Sequence, residues 1–168
     1  MADESVVDRL TAALDRAAIP YTRRRHEPVY TSAEAAKVRG TSLHSGAKAL
    51  IVKTEDEFVM AVTPADLDLD SAALRKLLAT RRLRFASRDE LLELTGLTPG
   101  SVPPFGSLFG LRTICDRALA ENPSVNFNAG SHCESLQMAY DDYAAFESPQ
   151  IAFISKPVRP PGGSESAA

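Results

Sequence analysis

The spacing of hydrophobic and polar residues predicts that this chain alternates between short helices and short strands. Apolar residues recur every three or four positions in the helical segments, which is the period of one helix face. Capping boxes mark two helix starts, Thr31 with Glu34 and Ser87 with Glu90, and a glycine follows the end of each of these helices. The predicted helices cover 5–19, 32–39, 71–80, 88–95 and 141–147.

Runs rich in β-branched and aromatic residues predict the strands. The clearest are "AKALIVK" at 47–53 and "FVMAVT" at 58–63, which four polar residues join as a hairpin. Weaker runs lie at 21–30, 82–87, 111–115, 124–129, 135–140 and 150–155. The segment 66–70, "DLDLD", is interpreted as a solvated edge ahead of a helix. Short strands and helices without strict βαβ alternation indicate an α+β fold, with a mixed central β-sheet and short flanking helices.

The length of 168 residues fits one domain. We expect this domain to cover 1–155. From Lys156 onward the chain is rich in proline, glycine and serine, which predicts a disordered tail over 156–168.

An uncharged loop, "TGLTPGSVPPFGSLFG" at 95–110, stands out because it holds four glycines and three prolines. Proline fixes φ and glycine admits conformations that other residues avoid, so the segment can present backbone groups in a rigid arrangement. Such a loop suits recognition of a neutral polar group such as an ester. It has no G-K-[ST] and is therefore not a P-loop. A plain connector between a helix and a strand is the alternative.

Lys48 is a lysine inside an apolar strand. Alternation places it on the face of Leu50 and Val52, opposite Ala47 and Ile51. Its ammonium either extends to water at the strand end or meets an anion in a cleft. The spacing alone leaves both interpretations open.

The histidines and cysteines carry less information. His26, His44 and His132 have no metal-ligand spacing to each other or to the two cysteines. His132 follows a strand in a loop-like stretch, where it is a general base, a substrate-contacting group or a solvated side chain. No serine lies in a G-x-S-x-G elbow, which argues against an α/β-hydrolase nucleophile.

Composition narrows the class of protein further. A formal net charge of −3 argues against a general nucleic-acid coat protein or a DNA-binding protein, although arginines cluster at 23–25 and 81–84. The acidic amino terminus lacks the build of a signal peptide, and no run approaches the ~18 apolar residues of a membrane span. We therefore expect a cytoplasmic protein.

Four strings together resemble the YbaK/EbsC family, also called the prolyl-tRNA synthetase-associated editing domain. They are "HEPVYTSAEAA", "GAKALIV", "LTGLTPGSVPPFG" and "VNFNAGS", and the likeness runs in order from about residue 20 to residue 154. The more specific marks are the lysine in a small-residue strand, matched by Lys48, and a G-x-x-x-P loop, matched by 100–104. The resemblance implies hydrolysis of the ester bond in wrongly charged aminoacyl-tRNA, mostly proline tRNA.

The resemblance also implies roles for residues. The family's lysine helps to hold the terminal nucleotide, and the G-x-x-x-P backbone positions the aminoacyl ester, which assigns Lys48, Gly100 and Pro104 to the catalytic site. The attacking water would be assisted by a hydroxyl of the terminal ribose, without metal or cofactor. The residues expected near the substrate are Thr31, Ser32, Ser101, Val102, Pro103, Gly130 and His132. Arg23, Arg24 and Arg25 are expected to bind tRNA, or to form a solvated strand face.

The sequence therefore predicts a freestanding deacylase that removes a small residue such as alanine or serine from proline tRNA, with prolyl-tRNA synthetase as a candidate partner. The alternative is a non-catalytic module of the same fold that binds tRNA or a synthetase. A third and weaker alternative is a Schiff-base enzyme that uses Lys48 as its nucleophile.

Overall fold

A computed structural model describes residues 4–158 and places five α-helices and ten strands there. The helices are α1 (Val6–Arg16), α2 (Ser32–Arg39), α3 (Ser71–Leu78), α4 (Arg88–Thr95) and α5 (Tyr140–Glu147). The strands are β1 (Thr22–Arg25), β2 (Ala47–Lys53), β3 (Phe58–Pro64), β4 (Leu67–Leu69), β5 (Arg84–Phe85), β6 (Arg112–Asp116), β7 (Ser124–Asn128), β8 (Glu134–Ala139), β9 (Gln150–Ala152) and β10 (Ser155–Pro157). Short 3₁₀ helices lie at Leu43–Ser45, Gly106–Phe109 and Arg117–Glu121.

The central sheet is mixed, as the sequence predicts. Its strand order is β5-β2-β3-β6-β9, with β2 antiparallel to β3 and β5, and β6 parallel to both β3 and β9. A second, antiparallel sheet has the order β1-β8-β7, and β10 pairs with β4 as a two-stranded ribbon. A parallel bridge between Gly46 and Asn126 connects the start of β2 to the second sheet. The α+β class with a mixed central sheet is confirmed.

Local capping chemistry explains where α2 and α4 begin and end. Both helices begin with a complete capping box, in which the Thr31 or Ser87 hydroxyl accepts from a backbone N–H and a glutamate returns the bond. Gly40 and Gly96 end these helices in the left-handed conformation, at φ of +69° and +74°. The predicted bounds of both helices are confirmed.

The central sheet is covered on both faces, because side chains on its strands alternate between two hydrophobic clusters. Ile51 and Met60 belong to the larger cluster, which α1, α5 and the second sheet complete. Val52 follows Ile51 on β2, and Val59 precedes Met60 on β3. Both valines belong to a smaller cluster, together with Leu74 of α3. This alternation is the period-2 pattern from which the face of Lys48 was predicted.

Two predictions about strands are wrong. Segment 66–70 is not a solvated edge, since β4 lies within it, pairs with β10 and buries Leu69. Segment 150–155 is not one strand, because β9 joins the central sheet and the chain then turns into β10. The turn is fixed by tertiary contacts: the amide of Ile154 donates to the buried Asp116 carboxylate at 2.7 Å, and its carbonyl accepts from Asp70 N at 2.7 Å.

The end of the domain also differs from the prediction. The expected tail begins at Lys156, whereas Ser155–Pro157 form β10 against β4. Ordered pairing therefore extends past the predicted boundary at 155. The rest of the expected tail, from residue 159, lies outside the described residues.

Candidate active site

A cavity of about 230 Å³ lies where the start of β2, helix α2 and the glycine–proline loop meet. Its polar side chains and its loop backbone come from four parts of the chain: α2 and the residues before it, β2, the glycine–proline loop and β7. The lining residues that offer aromatic, polar or charged side chains, or loop backbone, are Tyr30, Thr31, Ser32, Arg39, Lys48, Gly100, Val102 and Asn128. Alanines and Gly46 form much of the remaining wall. Because their side chains are small or absent, the cavity has room for a small ligand group.

Lys48 lies in this lining, on the predicted face of β2. Its Nζ donates to the carbonyl of Leu67 at 2.9 Å. No carboxylate of the described chain forms an ion pair with it. An ammonium has three donors, so Lys48 keeps capacity to bind an anion or an acceptor in the cavity.

Gly100 and Val102 bring the loop into the cavity. Gly100 has φ of +87°, which favours glycine because a Cβ is strained in this region. Its carbonyl accepts from Asn128 Nδ2 at 2.7 Å. The backbone N–H groups of Gly100 and Val102 have no acceptor within residues 4–158. The loop therefore contributes two unpaired backbone donors on residues that line the cavity.

Ser101, Pro103 and Pro104 lie behind this wall, and none of them lines the cavity. Ser101 is buried, and its hydroxyl donates to Thr98 O at 2.8 Å. The Pro104 carbonyl accepts a 2.7 Å bond from the buried Tyr143 hydroxyl. The G-x-x-x-P segment thus divides its roles. Gly100 and Val102 line the cavity, whereas Ser101 bonds to Thr98 and Gly130 and Pro104 bonds to the core.

His132 and Gly130 belong to a neighbouring, more open cavity of about 390 Å³. His132 Nδ1 lies 3.0 Å from Val29 O, which assigns the proton to Nδ1, and Nε2 lies 3.3 Å from Thr98 Oγ1. The ring packs against Tyr30 at 4.7 Å between centroids. A Cβ at Gly100 would lie 3.2 Å from His132 Cε1. His132 is placed to support Gly100 and Tyr30 from behind, outside the lining of the main cavity.

Thr31 and Ser32 line the cavity at the amino end of α2. Thr31 Oγ1 accepts from Glu34 N at 3.1 Å as part of the capping box. The hydroxyl hydrogen of Thr31 remains available as a donor, since the capping bond uses an oxygen lone pair. The helix start also contributes a partial positive charge to this side of the cavity.

Arg39 and Asn128 are site residues that sequence reasoning missed. Arg39 is only 7 % exposed, and its Nη2 donates to Asn128 Oδ1 at 2.8 Å. Its Nε donates to Ser135 Oγ at 2.9 Å. Burial lowers the pKa of the Arg39 guanidinium to about 10, so the group is charged at neutral pH. Its place directly before the capping Gly40 gave no signal, because its side-chain partners lie on β7 and β8 of the second sheet, about 90 positions further along the chain.

Arg23, Arg24 and Arg25 lie on the exposed edge strand β1 and are partly engaged by the protein itself. Arg23 and Arg25 both pair with Glu134 at 3.0 Å. Arg24 turns to the other face and donates to the Arg39 carbonyl at 2.9 Å. Glu134 offsets part of the positive charge of this strand.

Comparison with known proteins identifies the family to which this sequence belongs. The model of the aminoacyl-tRNA editing domain matches residues 26–146. The chain belongs to the aminoacyl-tRNA editing domain family. The predicted resemblance, and with it the class of ester-hydrolysing editing enzymes, is confirmed.

Relatives and solved structures agree with this membership. The chain is 32 % identical over 157 residues to the multifunctional Ser/Thr-tRNA deacylase ProXp-y of Escherichia coli K12, covering 90 % of this chain and 94 % of the relative. It is 27 % identical over 146 residues to the prolyl-tRNA editing protein ProX of Acetoanaerobium sticklandii, covering 83 % and 89 %. A crystal structure of a proposed trans-editing enzyme for prolyl-tRNA synthetase has the same fold, with a TM-score of 0.80 at 23 % identity and coverage of 92 % and 99 %.

Across residues 4–158, none of the helices combines the length and the apolar character that crossing a bilayer requires.

Proposed function

We propose that this editing-domain protein removes a small amino acid, such as alanine, serine or threonine, from mischarged proline tRNA by hydrolysing the aminoacyl ester. The observation that carries the proposal is a cavity whose lining includes both Lys48 and the two loop residues with unpaired amides, Gly100 and Val102. Two relatives are named for Ser/Thr-tRNA deacylation and for prolyl-tRNA editing, which supports this choice of substrates.

The size of the cavity supports a small aminoacyl group. Sites for drug-sized ligands span roughly 300–1,000 Å³, whereas this cavity measures about 230 Å³. We therefore expect this space to hold the aminoacyl group rather than a whole nucleotide. The aminoacyl end would enter the cavity, and the terminal adenosine would remain at the mouth, where Tyr30 is 71 % exposed. Nucleic-acid bases stack readily on exposed aromatic rings.

The chemistry divides between Lys48 and the loop. Lys48 would hold the phosphate of the terminal nucleotide with the donors that its bond to Leu67 leaves free. The Gly100 and Val102 amides would bind the ester carbonyl and stabilise the oxyanion that forms when water adds to the carbonyl carbon. The ester C–O bond then breaks, the ribose oxygen takes a proton, and free amino acid and tRNA result.

The base for the attacking water would come from the substrate. The described residues that line the cavity include no carboxylate, cysteine or histidine side chain. A hydroxyl of the terminal ribose, held next to the ester, can orient the water and relay its proton. Positioning and electrostatic stabilisation would then supply most of the rate enhancement.

The partners follow from this substrate. The arginines of β1 would contribute to tRNA binding, and prolyl-tRNA synthetase, as the source of mischarged proline tRNA, is a candidate partner. We expect the protein to act in the cytoplasm, where tRNA is charged.

The experiment is a deacylation panel with alanine, serine, threonine and cysteine on proline tRNA. We expect release of at least one small amino acid, and Lys48→Ala should reduce kcat/KM by about 100-fold or more, a loss of about 2.7 kcal/mol in transition-state stabilisation. Lys53→Ala is the matched control, because Lys53 is on the same strand, donates to the Thr54 carbonyl and does not line the cavity. Intact esters throughout the panel, with saturable and salt-sensitive tRNA binding, would instead identify a non-catalytic binding module.

A further inference from the structure

Arg39 is a buried cation without a counter-charge in the described part of the chain. Its side chain reaches from the end of α2 to the second sheet, where its partners are the neutral Asn128 and Ser135. None of the ion pairs in residues 4–158 includes it. Burying a charge without a partner of opposite sign is costly, and a neutral side chain could fill the same space. A structural role alone therefore explains this residue poorly.

The guanidinium also keeps an unused donor group. Nε and Nη2 each donate one bond, whereas Nη1 has no acceptor within the described residues. Nη1 is not sealed inside the protein, since it is absent from the buried polar atoms that lack a partner. Arg39 lines the main cavity. In a residue that lines the cavity, Nη1 is the part of the guanidinium left free to bond a group bound there.

The neighbours of Arg39 show which end of the cavity it serves. Asn128 bonds to Arg39 through its oxygen and to the Gly100 carbonyl through its nitrogen. Arg39 is thus linked to the loop wall, at the end assigned to the aminoacyl group. The α-ammonium of that group carries the same charge as Arg39 and is repelled from it. The loop amides already serve the ester carbonyl, and the ribose hydroxyl is assigned to the attacking water. The acceptor left on the aminoacyl group is therefore an oxygen of its side chain.

We propose that Arg39 determines specificity by donating a hydrogen bond to a side-chain hydroxyl of the aminoacyl group. This inference rests on the proposed deacylase function and narrows its substrate class. Seryl and threonyl esters satisfy the guanidinium, whereas an alanyl ester leaves it unpaired. A site built to bond a substrate hydroxyl discriminates against the analogue that lacks it. The cavity thus selects hydroxyl-bearing residues over apolar ones of similar size.

The test compares kcat/KM for seryl and alanyl esters on the same proline tRNA. We expect the wild type to favour serine by at least about tenfold, which corresponds to ~1.4 kcal/mol. Arg39→Met should remove that preference by lowering the serine value and leaving the alanine value within about threefold. Arg39→Lys, which keeps the charge but loses the planar fork, should recover part of the preference. Lys37→Gln is the control, because it removes an exposed positive charge from the same helix away from the cavity.

The ratio of the two values is independent of the fraction of folded enzyme, since both substrates are measured on one preparation. Equal losses for both esters in Arg39→Met would overturn the inference and show that Arg39 only supports Asn128 and the loop. A wild type without serine preference would overturn it as well. If the wild type cleaves no ester, the proposed function fails instead. Binding of non-cleavable seryl- and alanyl-amide analogues of 3′-amino-adenosine then decides on Arg39: equal affinities would overturn the inference, and tighter seryl binding that Arg39→Met abolishes would support it.

Discussion

His44 illustrates how one residue ties separate parts of the fold together near the cavity. Its Nδ1 lies 2.8 Å from Asp66, and its Nε2 lies 2.9 Å from Glu121. Its backbone carbonyl accepts from the Asn122 side chain at 3.0 Å. The 3₁₀ segment that contains His44 precedes Gly46 and β2 directly. The imidazole therefore links the entrance of β2 to the β3–β4 turn and to the segment before β7.

This arrangement predicts a pH-dependent stability. The hydrogen bond with Asp66, followed by that with Glu121, raises the pKa of His44 above 6.5, its ordinary value. A raised pKa means that the folded state binds the proton more tightly than the unfolded state does. The contribution to stability is thus fully present below pH 6.5 and is lost as the pH rises through the folded-state pKa.

The measurement is urea denaturation of wild type and His44→Gln at pH 6 and pH 8. The wild type should lose more unfolding free energy over this interval than the variant does, by less than about 1 kcal/mol because the ion pairs are partly exposed. Other titrating groups cancel in the comparison. Identical pH dependence of the two proteins would contradict the role assigned to His44.

At the residue scale, the sequence indicated part of the cavity and missed the rest for a physical reason. Strand alternation predicted the face of Lys48, and the structure places Lys48 and Gly100 in one lining. Their chemical roles remain predictions. Arg39 and Asn128 are joined by one hydrogen bond between residues 89 positions apart, which no local pattern reports. Tyr30 lies in the stretch "HEPVYTSAEAA", but its contact with the His132 ring joins residues far apart in the chain, which no local pattern reports.

At the element scale, the glycine–proline loop is held from the core by α5. The hydroxyl of Tyr143, on the buried face of that helix, bonds the Pro104 carbonyl. The ring of Phe105 packs edge-on against Tyr143 and Phe127. The prolines thus restrict the chain while the core fixes its position, so the Gly100 and Val102 amides are held before any ligand binds.

Two glycines with similar backbone conformations test whether Gly100 matters for catalysis. Gly100 has φ of +87° and Gly110 has φ of +70°, so an alanine strains either position by about 1 kcal/mol or more. A Cβ at Gly110 meets nothing within 4 Å, whereas one at Gly100 lies 3.2 Å from His132. We expect Gly100→Ala to lower kcat/KM by at least about tenfold and Gly110→Ala to stay within about twofold.

The thermal unfolding of both glycine variants is measured alongside their kcat/KM values. Equal activity losses at equal stability would show that loop strain as such, rather than the position of the Gly100 amide, limits the reaction.

Local signals also decided how well the elements were predicted. The helices α2 and α4 agree with the prediction because a capping box and a left-handed glycine define both of their ends. The strands β4 and β10 were missed since each has only three residues and gains its order from the other. A buried aspartate that captures the Ile154 amide is a tertiary contact, and a pattern of hydrophobic residues does not reveal it.

At the scale of the whole molecule, an acidic protein is proposed to bind a polyanion. The formal net charge is −3, and Glu134 offsets two arginines of β1. Arg25 nevertheless leaves 79 % of its side chain exposed. If the arginines of β1 contact phosphates, binding must weaken with salt in proportion to the number of contacts.

The corresponding prediction concerns the salt dependence of tRNA affinity. Arg25→Gln should weaken binding and reduce the slope of log K against log salt concentration by about 1. Arg112→Gln is the control, because Arg112 is also exposed and near a glutamate but lies on the central sheet. An unchanged slope in Arg25→Gln would identify β1 as a solvated strand face, with tRNA bound elsewhere.

The first residues of β2 belong to the cavity and to the core at the same time. Ala47 is buried in the larger cluster, Ala49 packs against it, and both line the cavity. A substitution that reshapes the cavity at either position also changes the packing of the central sheet. Substrate range and thermodynamic stability are therefore not separately adjustable along this strand. A change of substrate range toward a bulkier aminoacyl group would meet less resistance at Ser32, which lies at the helix start outside both clusters and does not cap the helix.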